Sequence, residues 1–224
     1  MSDAPVPEEI PLFPLANVVL FPGLQTPLHV FEPRYRSMTA DALAGSGRIG
    51  MIAVRPEHAS EMAGDPPLFG VGCAGRIVAH EALADGRYNI VLLGEERFRV
   101  VTELPRPARR LYRVARVARL GDPCDPASAP RLAALRARVS QLFSELVRRL
   151  APARARELQP ALLAEIDDAT FVSTLCQLLD LPPSEKQALL EADGVVARAE
   201  GLAAALHFRL AELAGRLAGA PTRH

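Results

Sequence analysis

"FGVGCAG" occupies Phe69 to Gly75, and its glycines at 70, 72 and 75 spell G-x-G-x-x-G, the fingerprint of a dinucleotide-binding turn. In a dinucleotide enzyme a buried strand delivers the chain to the first glycine, and a helix starts at the third with its N-terminus facing the pyrophosphate. Upstream, "MAGDPPLF" (Met62–Phe69) has paired prolines and a glycine that leave no room for such a strand. Downstream, "RIVAHEALADGRYNIVLL" (Arg76–Leu93) places Asp85-Gly86 between two apolar-rich runs, the mark of a tight hairpin. A helix over 76–84 is compatible with propensity, but it would be short and would lack the acidic residue expected beyond it. The stretch therefore reads as a glycine-rich strand, in which missing side chains let another backbone or a bend come close. Neither nicotinamide nor flavin is expected as a cofactor.

The 224 residues accommodate one large or two small domains, and 49% hydrophobic with 23% charged residues is ordinary for a globular protein. A formal net charge of +0 gives no global attraction to polyanions, so nucleic-acid binding would need a local patch. Cys73, Cys124 and Cys176 are odd in number and far apart, which argues against disulfides or a zinc site and for a reducing compartment. The N-terminal "MSDAPVPEEIP" carries acids and prolines where a secretory signal has a basic end and an apolar run. No apolar run approaches membrane-spanning length, and a cytoplasmic location is expected.

Composition changes at "LGDPCDPASAP" (Leu120–Pro130), which divides the chain into domains 1–122 and 123–224. In the first, "NVVLFPG" (from Asn17) and "TPLHVF" (from Thr26) read as short strands about a Pro-Gly turn. Glu32 followed by Pro33 opens a helix that offers Tyr35, Met38 and Leu43 as apolar contacts. "RIGMIAV" (Arg48–Val54), the glycine-rich stretch, "YNIVLLG" (from Tyr88) and "RFRVVTEL" (from Arg97) add strands, "YNIVLLG" being apolar on both faces and so central. "LYRVARVARL" (from Leu111) suits a helix nearly as well as a strand, and its neighbours favour strand. The sum is a mostly antiparallel, barrel-like sheet with one helix.

The second domain reads as a small helical bundle. Leu132, Leu135, Val139, Leu142, Phe143, Leu146 and Leu150 form one apolar stripe. Val195, Ala199, Leu202, Leu206, Leu210, Leu213 and Leu217 form another. Between them "DDATFVSTLCQLLDL" (from Asp167) supplies a medium helix and "SEKQALLEAD" a short one, with Ser184 and Gln187 in capping-box positions.

"IPLFPLANVVLFPGLQTPLHVFEPRYRSM" (Ile10–Met38) resembles the opening of the N-terminal domain of Lon proteases, and its "PLHVFEPRYR" block looks like the small stand-alone bacterial proteins of that family. The resemblance continues through "LFGVGCAGRIV" and "YNIVLLGEERFRV", and reappears in "IDDATFVSTLCQLLDLPPSEKQALLEAD" and the apolar helix after it. It covers nearly the whole chain. It implies an α+β fold, a PUA-like β-domain followed by an α-helical bundle, and a unit that recognises and holds protein substrates. The glycines at 70, 72 and 75 then fall on a β-segment.

A complete protease of that family needs a P-loop, G-x-x-x-x-G-K-[ST], and a Ser-Lys pair. No stretch matches the first. Ser184 and Lys186 are the only local candidates for the second; Ser184 reads as a helix cap and Lys186 as surface, so no enzymatic activity is expected. His29, His58, His80, His207 and His224 show no metal-binding spacing, and Asp167 and Asp168 read as helix N-terminal acids.

The expected partners are unfolded or exposed polypeptide segments, in concert with a protease or chaperone, bound through apolar burial and main-chain hydrogen bonds. In the "PLHVFEPRYR" block Leu28, Val30 and Phe31 read as core. His29, Glu32, Arg34 and Tyr35 are left as the candidate peptide-binding residues. The alternative is RNA binding by the basic stretch Arg106, Arg109, Arg110, Arg113, Arg116 and Arg119, whose bland reading is a solvated sheet edge.

Overall fold

A computed structural model describes residues 8–122, 125–151 and 165–218, with side chains as far as 215. Cys124, His224 and the side chain of Leu217 lie outside the described residues. Contacts group the chain into two compact units, Met1–Gly121 with Cys176–Glu191, and Asp122–Leu175 with Ala192–His224.

Six strands are formed by the described residues of the first unit: β1 (Glu8–Leu15), β2 (Gln25–Val30), β3 (Arg48–Val54), β4 (Leu68–Ala82), β5 (Tyr88–Glu103) and β6 (Val114–Leu120). They are ordered β2-β5-β4-β3-β1-β6, and β6 returns to pair with β5. Only β1 and β3 run parallel. The sixteen residues of β5 make closure possible. Tyr88–Leu93 pair with β2, and Arg97–Glu103, further along the same edge, pair with β6. Among the described residues β2 pairs with β5 alone, and β4 beyond Arg76 likewise keeps only its β5 neighbour.

The G-x-G-x-x-G string lies inside β4. A Cβ on Gly72 would sit 2.5 Å from the Met51 carbonyl oxygen and 2.5 Å from Cζ of Phe98, so the barrel closes over this position only because the side chain is missing. The hairpin at Asp85-Gly86 forms as its sequence predicts: Gly86 takes a φ of 81° and the Leu83 N–H donates to the Arg87 carbonyl at 2.8 Å. Phe98 packs with Ile10, Leu12, Ile52 and Val117 in one core cluster, and Met38, Ile49, Met51, Ile90 and Leu92 belong to a second. Helix α1 (Pro33–Ala44) has Glu32 at its N-cap and Pro33 in its first turn, and buries Tyr35, Met38 and Ala42.

Three strand readings are corrected. Asn17–Gly23 is not a strand, although Val19, Leu20 and Phe21 are buried; the strand is β1, just before it, whose two prolines conceal it. "YNIVLLG" and "RFRVVTEL" are one continuous strand, whose first half alternates between buried residues and half-buried or exposed ones; β3 is the strand buried nearly throughout. The basic stretch supplies no sheet edge, because β6 is flanked by β1 and β5.

In the second unit, α2 (Ala129–Leu150) packs along α5 (Gly194–Ala218). Leu132, Val139 and Leu146 are buried from α2, and Val195, Ala199, Leu202, Leu206 and Leu210 from α5. Leu150, assigned to the stripe by its spacing, is 61% exposed at the helix end. Arg198 on α5 is fully buried and grips Asp122 with both terminal nitrogens, at 2.7 and 3.1 Å. Helix α3 (Asp168–Leu178) begins with Asp167 accepting the Thr170 N–H at 3.0 Å, which holds that carboxyl below its ordinary range. Asp168 receives Arg136 at 2.6 Å, so both acids are structural.

Helix α4 (Pro183–Glu191) belongs to the β-unit. Its Gln187 makes no capping box: the side chain is buried and donates to the Val71 carbonyl in β4 at 2.9 Å. Lys186 is half-buried rather than surface, donating to the Gln177 carbonyl at 2.9 Å, and burial lowers its pKa.

Candidate functional site

Alternation along β2, β5 and β4 sorts side chains onto the two faces of this three-stranded ribbon. Ile90 and Leu92 point to the core. On the other face the register aligns Pro27 with Val91 and Ala79, and His29 with Asn89 and Glu81. A groove of about 500 Å³ runs over these two rows. Its floor is apolar, and one margin is polar.

The polar row is a hydrogen-bonded ladder. Arg87 has only donors, so at 3.2 Å it makes Nε2 of His29 the acceptor. The His29 proton therefore sits on Nδ1 and is donated to Oδ1 of Asn89 at 2.7 Å. Nδ2 of Asn89 then donates to Glu81 at 2.8 Å. Phe31, 60% exposed, stacks on His29 with ring centroids 6.2 Å apart.

Of the four sequence candidates, His29 alone lines this groove. Arg34 bonds Glu32 at 3.0 Å and holds the loop after β3 through the carbonyls of Gly64, at 2.8 Å, and Met62. Tyr35 is 4% exposed and packs on Phe13 with ring centroids 4.6 Å apart. Phe31, read as core, is on the surface. Asn89, Glu81, Val91 and Ala79 were not distinguishable in the sequence, because strand register alone brings them to His29.

Among the described residues the buried Tyr35 hydroxyl has no hydrogen-bond partner, and burial pushes its pKa up to about 12. Tyr112, also pushed up to about 12 by burial, donates to Asp41 at 2.8 Å. Both are protonated in the fold, so their contribution to stability is full below the ordinary tyrosine value of about 10 and is lost as pH rises through about 12. Tyr35→Phe is expected to leave stability unchanged or raise it by up to about 1 kcal/mol, since an unsatisfied hydroxyl is removed. It should also delete a component near pH 12 from the tyrosinate absorbance titration. A loss of stability would contradict this account.

The basic stretch is largely engaged by carboxylates. Arg106 pairs with Asp65, Arg113 with Glu103, Arg116 with Glu9 at 3.3 Å, and Arg119 with Glu8 and Glu96 at 3.3 and 3.4 Å. Among the described residues no three His, Cys, Asp or Glu side chains are grouped to hold a metal ion. No described helix is long and apolar enough to cross a membrane.

The groove is open, with an apolar floor and polar groups hydrogen-bonded in place along one margin. Residues 9–207 match the substrate-binding domain of ATP-dependent protease La (LON), and the chain belongs to that family. It is 31% identical over 199 residues to Lon protease 2 of Myxococcus xanthus, covering 86% of this chain and 23% of that protein. It is 30% identical over 200 residues to the Lon protease of Anaeromyxobacter dehalogenans, covering 86% and 22%. The chain thus spans less than a quarter of the length of these relatives. The N-terminal domain of Mycobacterium avium complex Lon protease shares the fold with a TM-score of 0.70 at 18% identity, over 89% of this chain and 98% of that one. The Lon N-terminal domain protein from Xanthomonas campestris shares it with a TM-score of 0.59 at 24% identity, over 88% and 98%.

Proposed function

We propose that this chain is a non-enzymatic module that holds exposed or unfolded polypeptide segments in the groove over β2, β5 and β4, on behalf of a protease. The groove itself carries the reading: apolar Pro27, Val91 and Ala79 stand on an accessible sheet face where burial by a client side chain is favourable. Main-chain pairing adds little. The Gly94 N–H bonds the Leu24 carbonyl, and the alternation this sets turns the nitrogen of Pro27 away from β5, so the free side of β2 lacks a donor at its middle. RNA binding is the weaker reading, because four of the six arginines it requires already face carboxylates.

A labelled, permanently unfolded polypeptide titrated with the protein and followed by anisotropy tests the proposal. Saturable binding that persists at high salt is expected, weakened about tenfold by Ala79→Asp, a charge at an exposed position in the groove centre. Absence of binding, or binding indifferent to Ala79→Asp, would sink it. Binding to RNA that falls steeply with salt would favour the alternative.

A further inference from the structure

The charges around the groove are unequally matched. Arg87 is paired with Asp85 at 2.6 Å and also meets His29; Arg76, on the same face, is paired with Glu95 at 2.6 Å. Among the described residues Glu81 is the only carboxylate lining the groove, and no arginine or lysine lines it. Its single hydrogen-bond partner among the described residues is the neutral amide of Asn89, which fixes the carboxylate at the polar margin without neutralising it. A carboxylate positioned in this way is complementary to a cation carried by the occupant.

Spacing specifies where that cation stands. Ala79 and Glu81 are two residues apart on β4, about 7 Å along an extended strand. A segment lying extended along the groove presents successive same-side residues at the same interval. An aliphatic or aromatic side chain over Pro27, Val91 and Ala79 therefore brings the residue two positions away over Glu81. We propose that the groove selects extended segments carrying an apolar residue and a lysine or arginine two positions apart, in either chain direction, with the cation paired to Glu81. This rests on the polypeptide-binding reading above and adds a chemical preference to it.

Two labelled peptides test the proposal, alike except that one carries Leu-Thr-Lys and the other Leu-Thr-Glu in the same flexible, soluble context. The wild-type protein is expected to bind the lysine peptide about fivefold more tightly at low salt, a ratio suited to a solvent-accessible ion pair and reduced by added salt. Glu81→Gln should abolish the preference and Glu81→Lys reverse it. Glu81 is exposed, and unchanged tyrosine fluorescence in both variants verifies the fold. Equal binding of the two peptides by the wild type, or a preference that survives Glu81→Gln, overturns the assignment to Glu81 while leaving polypeptide binding standing. If neither these peptides nor the unfolded polypeptide binds, the polypeptide-binding reading falls and the preference with it.

Discussion

Gly72→Ala is expected to destabilise the β-unit by about 3 kcal/mol, whereas Gly70→Ala, two residues earlier in the same string, should shift stability by less than about 0.5 kcal/mol. The added methyl at Gly72 meets a backbone oxygen of β3 on one side and the Phe98 ring on the other, both at 2.5 Å. Neither is the free end of a flexible side chain, so relief requires strands β3 and β4 to separate. At Gly70 nothing lies within 4 Å of the added carbon. Tyrosine fluorescence during urea unfolding separates the outcomes for the β-unit alone, because Tyr35, Tyr88 and Tyr112 all lie in it and the chain has no tryptophan. Equal effects at the two positions would mean that the close approach at Gly72 does not limit stability.

The second large effect concerns the ion pair in the helical unit. Asp122→Ala is expected to cost about 3–5 kcal/mol, because it removes the carboxylate from a guanidinium that is 0% exposed. Arg198→Met should cost less, about 1–3 kcal/mol: methionine refills much of the volume, and the Asp122 side chain, 20% exposed, can recover water. Combining the two should return part of the loss, since the variant no longer buries a charge. Thermal melts followed by far-UV ellipticity report this unit, where α2 and α5 dominate the signal. Asp122→Ala as mild as Arg198→Met would show that the buried guanidinium does not depend on this carboxylate.

What could be read from the sequence was local. Glu32-Pro33 announced α1, Asp85-Gly86 announced the β4–β5 hairpin, and the stripes of α2 and α5 gave their packed faces. Each signal is carried by residues within a turn or two of one another. The strand at Glu8–Leu15 escaped because Pro11 and Pro14 mimic a loop, and Asn17–Gly23 misled because burial without pairing leaves the same apolar run. Gln187 was read through a capping motif, yet its amide serves a carbonyl 116 residues away. The groove was the least legible feature. His29 and Asn89 are 60 residues apart, and only strand register sets them side by side. Tyr35 belonged to a polar-looking block but has an apolar ring, and the core took it.

Unfolded chains tend to assemble through their backbones, each strand serving as a template for the next. A module that held such chains, as proposed for this one, would with a bare strand edge become a seed on which they polymerise. Among the described residues β2 has β5 as its only neighbour, and Pro27 interrupts its free side at the centre. On the polypeptide-binding reading proposed above, an interrupted β2 edge would make the module a poorer template for its own clients' fibres.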